Sequence, residues 1–313
     1  MVAKIDLLLT VCDLYYKEKL TQSDIAKKVG LSRPTVAKLL DEALDKGIVQ
    51  INILAPLALD EVVAVEIKGK YKLKKVLVIK NTENYIYDLD NLGKVTANFV
   101  NSIIKKNDII GISWGKAVES FVTNTPESSW KNNLIVQING SLGSSIDSVS
   151  GSELVIKLGE RTNSQYELLT APAVVDSFEL QKNLLQQPSI RKVISLGNEM
   201  SIAISGIGNL KTYKNTLYSA GVIDKVDLLK LKEDGAVGHM ACRMFSPEGK
   251  EVAIRNKWPI SPSMKSFKRI PYSIGCAMGE DRALSVVGAL NGQLINTLIC
   301  DEALAQEILK IQI

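Results

Sequence analysis

The sequence predicts an α/β chain in two parts, a short N-terminal helix-turn-helix unit and a larger, Rossmann-like doubly wound domain. Two observations lead to this assignment. Residues 21–46 have the pattern of two short capped helices separated by a tight turn. From residue 75 onward, apolar runs alternate with amphipathic stretches of about 10–15 residues, which is typical of a parallel sheet covered by helices on both faces. The length of 313 residues accommodates both parts.

Composition places the domain boundaries. Residues 1–55 form the helix-turn-helix unit, residues 56–74 form a linker or connecting helix that starts at Pro56, and residues 75–313 form the larger domain. Connecting helices often help to pair subunits, and the sequence leaves open whether this one does.

The first helix of the predicted helix-turn-helix unit has a clear beginning and end. Thr21 is the expected N-cap, and Asp24, three residues later, can complete a capping box. Gly30 supplies the left-handed residue that ends the helix. A preceding helix, at about residues 4–18, carries apolar residues at helical spacing that would pack behind it: Ile5, Leu8, Leu9, Cys12 and Tyr15.

The second helix begins at once. Ser32 is the expected N-cap, and Pro34 lies in the first turn, where its missing N–H is not needed. The predicted buried stripe consists of Val36, Leu39, Leu40, Ala43 and Leu44. Two short helices joined by a glycine turn are typical of units that place the second helix in the major groove of DNA. The residues predicted to contact DNA are Thr21, Gln22, Ser32, Arg33, Pro34, Thr35 and Lys38.

The charge distribution agrees with this reading only in part. Residues 1–54 carry eight Lys and Arg against seven Asp and Glu, so the motif and not the net charge indicates DNA.

After Gly47, residues 48–54 (IVQINIL) alternate apolar and polar side chains, which predicts a strand or small wing. Two alternatives stay open, an ordinary helical hairpin within a larger core and a scaffold protein with a helical adaptor.

Rare residue types narrow the possible functions. The four cysteines contain no C-x-x-C pair, which favours buried free thiols in a reducing compartment. The single histidine, His239, excludes a His-cluster metal site, and we expect neither a metal nor another cofactor. The chain has no apolar run of membrane-spanning length and no signal-peptide core. We therefore expect a cytoplasmic protein without a membrane partner.

The larger domain is predicted element by element from its apolar runs. The predicted strands are 76–79, 108–113, 134–139, 166–170, 201–207, 237–245, 251–254, 273–278 and 294–300. The predicted helices are 90–105, one beginning near Gly115, 151–162, 189–198, 281–290 and 301–310.

Several predicted strands run directly into glycine at their carboxyl ends, the edge where open α/β sheets bind ligands. Glycine lets backbone N–H groups approach an anion, although tight strand–helix turns also need glycine for steric reasons. Lys116 and Arg282 lie in the first turns after two such strands, so a phosphate or a polyol would suit the edge. The candidate ligand residues are Ser113, Trp114, Gly115, Lys116, Asn139, Gly140, Ser141, Gly206, Gly208, Gly279, Arg282 and Asp301.

These blocks resemble the SorC family of bacterial transcriptional regulators, which is grouped with the deoxyribonucleoside regulator. The resemblance runs through the whole chain in order: residues 13–51, DIIGISWGKAV, LIVQINGS, ISGIG, GAVGHMACRMFSPEGK and GALNGQLINTLICDEALAQEIL. The segment PYSIGCAMGEDR is most similar to sorbitol and sorbose operon regulators within that family.

The resemblance implies a dimeric or tetrameric regulator that binds operator DNA. Its larger domain would be similar in fold to sugar-phosphate isomerases and would bind a sugar or sugar phosphate without turning it over. Relatives usually carry Lys at the position of Arg282, and some carry a Schiff-base lysine where this chain has Asn139, which cannot form an imine. Where this chain has His239, the family often has Asp. The competing hypothesis is a sugar-phosphate isomerase-like enzyme with an appended DNA-binding unit.

Overall fold

A computed structural model describes residues 2–49, 57–130, 132–142, 150–211 and 215–312. Contacts divide the chain into two compact units, Met1–Pro56 and Leu57–Ile313. The seven parallel strands of the larger unit confirm the predicted α/β class.

The described part of the first unit, residues 2–49, contains three α-helices. The helices are α1 (Val2–Cys12), α2 (Gln22–Val29) and α3 (Arg33–Asp45), and a π-helical turn, Asp13–Lys17, continues α1. They enclose one small apolar core that consists of Leu8, Val11, Cys12, Leu14, Ile25, Ala26, Val36, Leu39, Leu40 and Ala43.

Three predicted core residues of this unit are exposed instead. Ile5 and Leu9 of α1 are 50% and 46% exposed, because α1 turns the stripe of Leu8 and Val11 towards the core. Leu44 near the end of α3 is 39% exposed. In the predicted wing, Ile48 and Val49 form a bend, and residues 50–54 lie outside the described part of the chain.

The segment predicted as a linker packs onto the larger unit. Its described residues contain α4 (Glu61–Tyr71), which begins at the N-cap Asp60. The Asp60 N–H donates to the carbonyl of Val78 at 2.8 Å. Ile67 of α4 is fully buried in a core beneath the main sheet. These contacts place α4 beside the first strand of that sheet.

The main sheet has seven strands in the order β1–β13–β12–β6–β2–β3–β4, and every neighbouring pair is parallel. The strands are β1 (Lys75–Ile79), β2 (Ile109–Ile112), β3 (Leu134–Gln137), β4 (Gln165–Glu167), β6 (Ile202–Gly206), β12 (Tyr272–Ala277) and β13 (Thr297–Asp301). After β4 the chain returns to place β6 on the other side of β2. The direction of strand addition therefore reverses between β2 and β6.

Helices cover both faces of this sheet and create two large apolar cores. The helices after α4 are α5 (Tyr85–Ile103), α6 (Lys116–Asn124), α7 (Gly151–Thr162), α8 (Phe178–Gln186), α9 (Pro188–Leu196), α10 (Thr216–Ser219), α11 (Lys225–Glu233), α12 (Met264–Phe267), α13 (Ala283–Asn291) and α14 (Glu302–Lys310). The sequence patterns did not predict α8, α10, α11 and α12. A 3₁₀ turn, Glu280–Arg282, precedes α13.

Residues 237–245, predicted as one strand, form a hairpin instead. The strands β8 (Gly238–Met240) and β9 (Arg243–Phe245) pair antiparallel across a two-residue turn. Both turn residues have positive φ, 48° for Ala241 and 66° for Cys242. This backbone suits a tight hairpin but is strained for residues with a side chain.

The hairpin belongs to a separate antiparallel sheet in the order β10–β9–β8–β7. Its outer strands are β7 (Gly208–Asn209) and β10 (Glu251–Val252). A two-stranded sheet pairs β5 (Val174–Val175) with β11 (Trp258–Pro259). Of the helices in the described ranges, none has the length and apolar character needed to cross a membrane.

Candidate functional site

Thr21 is the N-cap of α2, as predicted, but the second hydrogen bond differs from that of a capping box. The hydroxyl of Thr21 accepts the Asp24 N–H at 3.2 Å. The Asp24 carboxylate accepts the Thr21 hydroxyl at 2.6 Å, so the two side chains bond to each other. Gly30 ends α2 with φ 70°, as predicted. The Thr21 hydroxyl is therefore engaged in holding the helix terminus.

The start of α3 shows the same division between capping and exposed side chains. The Ser32 hydroxyl accepts the Thr35 N–H at 3.3 Å and lies 2.7 Å from the Thr35 hydroxyl. Pro34 lies in the first turn, as predicted. Arg33, Thr35 and Lys38 are exposed. The hydroxyls of Ser32 and Thr35 therefore stabilise the turn. The long, positively charged side chains of Arg33 and Lys38 are available to contact a nucleic acid.

A groove of about 630 Å³ lies along the helix-turn-helix unit. Three of the residues predicted to contact DNA line this groove: Thr21, Gln22 and Arg33. The aromatic pair Tyr15 and Tyr16 also lines it, with ring centroids 5.0 Å apart and an edge-to-face arrangement. Helical spacing predicts Tyr15 in the core and does not single out Tyr16, because spacing alone does not show which side of an aromatic ring stays accessible.

The larger unit contains a cavity of about 940 Å³ at the carboxyl edge of the sheet. It lies where the strand order reverses, between β2 and β6, which is the usual ligand position in an open α/β sheet. The predicted ligand residues that line it are Ser113, Trp114, Gly115, Lys116, Asn139, Gly206, Gly208, Gly279 and Arg282. Further lining residues that the sequence patterns do not single out include Tyr85, Leu89, Glu119, Thr216, Ser219, Ala241 and Cys276, and His239, which was not among the predicted ligand residues, lines the cavity too.

Three predicted ligand residues do not line this cavity. The Gly140 N–H donates to Ile260, and a Cβ on Gly140 would lie 2.2 Å from the carbonyl of Pro172, so this glycine allows a close backbone approach. Ser141 bonds through its N–H to Ala171. Asp301 accepts the Gly279 N–H at 3.0 Å, so it supports a cavity loop from behind. These three residues therefore lie outside the wall of this cavity, and their predicted role in effector binding stays a prediction.

The glycine-bearing loops differ in what they offer an anion. Gly115 has φ 128° and is the N-cap of α6, where the cap has no side-chain hydrogen bond. The first turn of α6 therefore presents backbone N–H groups and the positive end of the helix dipole. The N–H groups of Gly279 and Gly140 already have protein partners. Within the described residues, α6 is the favourable position for a phosphate at this edge.

The basic side chains Arg282 and Lys116 differ in how much of their charge is available to a ligand in the cavity. Arg282 donates to the Met278 carbonyl, and its guanidinium lies 3.7 Å from the Asp281 carboxylate. The other oxygen of that carboxylate accepts from Asn209 at 3.1 Å and lies 3.8 Å from Lys211. Lys116 is exposed at the start of α6. Asp281 therefore offsets part of the Arg282 charge, whereas Lys116 stays accessible.

His239 and Asn139 are, with Ser113, buried polar residues of the cavity wall. His239 is 6% exposed and Asn139 is fully buried. Burial, together with the nearby Arg282 charge, lowers the pKa of His239 to about 4. The Asn139 Nδ2 atom donates to the Cys242 Sγ atom at 3.7 Å, and burial raises the pKa of that thiol to about 12. His239 is therefore neutral near pH 7, and Cys242 is a thiol.

Comparison with known families agrees with this two-unit organisation. Residues 60–310 match the sugar-binding domain family named Sugar-bind. Residues 14–50 match a winged helix-turn-helix DNA-binding family. The first match includes the described part of α4, in keeping with its packing on the larger unit.

Individual relatives match almost end to end. The sorbitol operon regulator of Klebsiella pneumoniae is 28% identical, and the alignment covers 98% of both chains. The deoxyribonucleoside regulator of Bacillus subtilis is 27% identical over 94% of both. The crystal structure of the full-length sorbitol operon regulator SorC from Klebsiella pneumoniae superposes with a TM-score of 0.73, covering 97% of this chain and 99% of that one.

Proposed function

Because this chain belongs to the SorC family of sugar-binding transcriptional regulators, we propose that it binds operator DNA through residues 1–55. Binding of a sugar or sugar phosphate in the cavity between β2 and β6 would raise or lower its affinity for the operator. The observation that carries the proposal is the joint presence of a DNA-binding helix-turn-helix unit and a cavity of about 940 Å³ at the reversal of strand order.

For the DNA side, we propose that α3 lies in the major groove. Its exposed Arg33 and Lys38 would contact bases and phosphates, and Thr21, Ser32 and Thr35 would hold the two helix starts. Such units bind as pairs to half-sites one helical turn apart or a multiple of it. We therefore also propose a homodimer or homotetramer that works in the cytoplasm, where the chromosome is accessible.

For the effector, we propose a polyhydroxylated compound such as a sugar, a polyol or one of their phosphates. Relatives named for the sorbitol operon and for deoxyribonucleosides support this class. If the effector carries a phosphate, that group would lie at the start of α6 beside Lys116, where the helix terminus favours negative charge. Arg282, which Asp281 already partly neutralises, would contribute hydrogen bonds more than net charge.

We propose that the protein is a regulator without enzymatic activity. The alternative is that it is an isomerase-like enzyme. An isomerase needs a base that removes a proton next to a carbonyl. The cavity holds the exposed carboxylate Glu119 and a neutral His239. A turnover assay on ketose and aldose phosphates distinguishes the two functions, and product formation that depends on Glu119 would contradict ours.

The decisive experiment is an operator-binding titration. The full-length protein is mixed with DNA from upstream of its own operon, and sorbitol, sorbose, fructose and their phosphates are added in turn. We expect at least one compound to shift the DNA affinity and to raise the melting temperature, because a ligand that binds only the folded state stabilises it. A Lys116→Ala variant should lose phosphate binding selectively. Operator affinity that stays constant with every compound would contradict the proposed function.

A further inference from the structure

Asn81 lies between two buried carboxylates at the carboxyl edge of the main sheet. It follows β1 and Lys80, and its Nδ2 group donates to Asp301 at 3.0 Å and to Asp88 at 3.3 Å. Asp88 and Asp301 are only 2% and 3% exposed. A buried carboxylate depends on its hydrogen-bond donors, because a lost donor leaves a desolvated oxygen without a partner. One amide group therefore ties together two side chains that have little access to water.

Each of these carboxylates holds a different wall of the cavity. The other oxygen of Asp301 accepts the Gly279 N–H at 3.0 Å, and Gly279 lines the cavity. Asp88 lies in the first turn of α5, between two residues that line the cavity. Asn81 itself does not line it. A ligand that moves the Gly279 loop or the start of α5 therefore changes the hydrogen bonds of Asn81.

The Asp301 carboxylate is used in this way although a local bond was available to it. Asp301 is the N-cap residue of α14, and aspartate is among the best capping residues. Within the described residues, however, its side chain does not cap α14. The Oδ1 atom of Asn81 accepts the Ala303 N–H of that helix at 2.7 Å instead. The exchange leaves the Asp301 carboxylate to connect the cavity loop with Asn81.

The residue before Asn81 is bonded to the chain that arrives from the helix-turn-helix unit. The Lys80 N–H donates to the Ala58 carbonyl at 2.9 Å, so residues 58–60 pair with the edge of the main sheet beside β1. The compact unit that contains the cavity begins at Leu57, which makes Ala58 its second residue. A displacement of Asn81 therefore reaches the start of the larger unit through one peptide unit and one backbone hydrogen bond.

We propose that Asn81 couples occupancy of the cavity to the DNA-binding unit. Such coupling needs an element with two arrangements that both sites bias. The Asn81 amide is that element: it is bonded to both carboxylates or released from one, and an effector shifts the balance. The change passes through Lys80 to Ala58 and along the chain to the helix-turn-helix unit. The proposal rests on the proposed function and gives its regulatory route, with Asn81 as a positioning residue.

The test measures the coupling on the full-length protein. Gel shifts give operator affinity without and with D-sorbitol, L-sorbose, D-fructose and the monophosphate of each, and the compound with the largest effect is the probe. Coupled sites usually change each other's affinity about 5- to 150-fold, and operator DNA must change probe affinity by the same factor. Calorimetry with and without operator DNA measures that second factor.

The first variant is Asn81→Ala, which leaves the core intact because Asn81 is exposed. Both coupling factors should fall below about 2-fold, because the two cavity walls no longer share a donor with the residue after Lys80. Without DNA, the variant should bind the probe within about 3-fold of the unmodified protein. A merely structural role would lower stability without removing the coupling.

Asn81→Asp separates the coupling from the capping of α14. An aspartate keeps an oxygen for the Ala303 N–H, but when ionised it places no donor between the two carboxylates. At about pH 8, where an aspartate is ionised, Asn81→Asp should lose the coupling as Asn81→Ala does. Coupling that Asn81→Asp retains would overturn the proposal, because the cap alone would then explain the effect of Asn81→Ala.

The matched control is Asn296→Ala, at the opposite end of β13. The Asn296 side chain accepts the Ser273 N–H at 3.1 Å and donates to the Ile270 carbonyl at 3.0 Å, so it too joins separate segments. Asn296 does not line the cavity. Asn296→Ala should lower the melting temperature and keep both coupling factors. Equal loss of coupling in the two Ala variants would overturn the proposal, because a general loosening of the sheet would account for both.

Failure of this coupling and failure of the proposed function give different results. If no compound changes the operator affinity of the unmodified protein, the proposed function fails and the coupling fails with it. If a compound does so and Asn81→Ala responds equally, only the role of Asn81 is wrong. Loss of probe binding by Asn81→Ala would also contradict the proposal, because Asn81 would then support the cavity instead of connecting it to the DNA-binding unit.

Discussion

Gly208 lies directly against the imidazole ring of His239. A Cβ built on Gly208 would lie 2.1 Å from His239 Nε2 and 2.6 Å from Cε1, distances that no real contact allows. The two residues face each other in the antiparallel pairing of β7 and β8. The glycine that looked in sequence like a ligand-approach position is thus also the neighbour that fixes the ring.

Replacing Gly208 by Ala should therefore force the His239 ring out of its place. We expect the free energy of unfolding to fall by about 1–3 kcal/mol, the usual cost of overpacking, together with weaker effector binding. Gly206→Ala is the matched control, because the atom nearest to a Cβ there is the Trp114 carbonyl oxygen at 4.0 Å. Urea unfolding of both variants checks the predicted loss of stability, which equal losses at the two positions would contradict, and calorimetry of the Gly208→Ala variant checks effector binding.

The buried His239 should make stability depend on pH. Its pKa falls from 6.5 in the unfolded chain to about 4 in the folded one, so the unfolded chain binds more protons between these values. The stabilisation from the neutral ring is complete above pH 6.5 and is lost as the pH falls towards 4. The loss amounts to about 3 kcal/mol in the free energy of unfolding.

A His239→Gln variant should lack this part of the pH dependence. The comparison is made by urea unfolding of both proteins at several pH values between 7 and 4, because carboxylates elsewhere contribute equally to both curves. Parallel curves for the two proteins would contradict the prediction, because they would mean that the pKa of His239 is the same in the folded and unfolded chains.

The helix-turn-helix unit should separate base contacts from phosphate contacts. Arg33→Ala should lower operator affinity by about 1–3 kcal/mol and relax sequence preference, whereas Lys38→Ala should weaken all DNA alike. Lys46→Ala is the control, since Lys46 pairs with Glu42 at the far end of α3, at 2.6 Å. Gel shifts on operator and random DNA measure the effects, and wild-type affinity of Arg33→Ala would mean that α3 docks differently.

Operator binding should require an oligomer with paired DNA-binding units. The first 54 residues are nearly neutral, so a single unit gains little from phosphate attraction. We expect light scattering to give a multiple of 34.2 kDa and footprinting to show half-sites one helical turn apart or a multiple of it. A monomer that binds its operator at full affinity would contradict this expectation.

Local chemistry made much of this architecture readable from the sequence. The caps at Thr21 and Ser32 and the left-handed Gly30 involve bonds over three or four residues, so the residues themselves specify where α2 and α3 begin and end. The apolar runs of the main sheet were equally readable, because strands buried on both faces need continuous apolar residues. The wing of residues 48–54 stays a prediction.

The site depended on contacts between distant residues. Asp301 occupies the N–H of Gly279, and Pro172 lies against Gly140, so spacing in the sequence could not show which glycines face the cavity. The hairpin at 237–245 turns at two residues that lack the usual turn chemistry, and this turn carries His239 to the cavity wall. The sequence alone determined the local caps and the strand–helix alternation through short-range bonding and patterning. Tertiary structure alone decided which backbone and side-chain groups stay available to a ligand, because that depends on partners tens to hundreds of residues away.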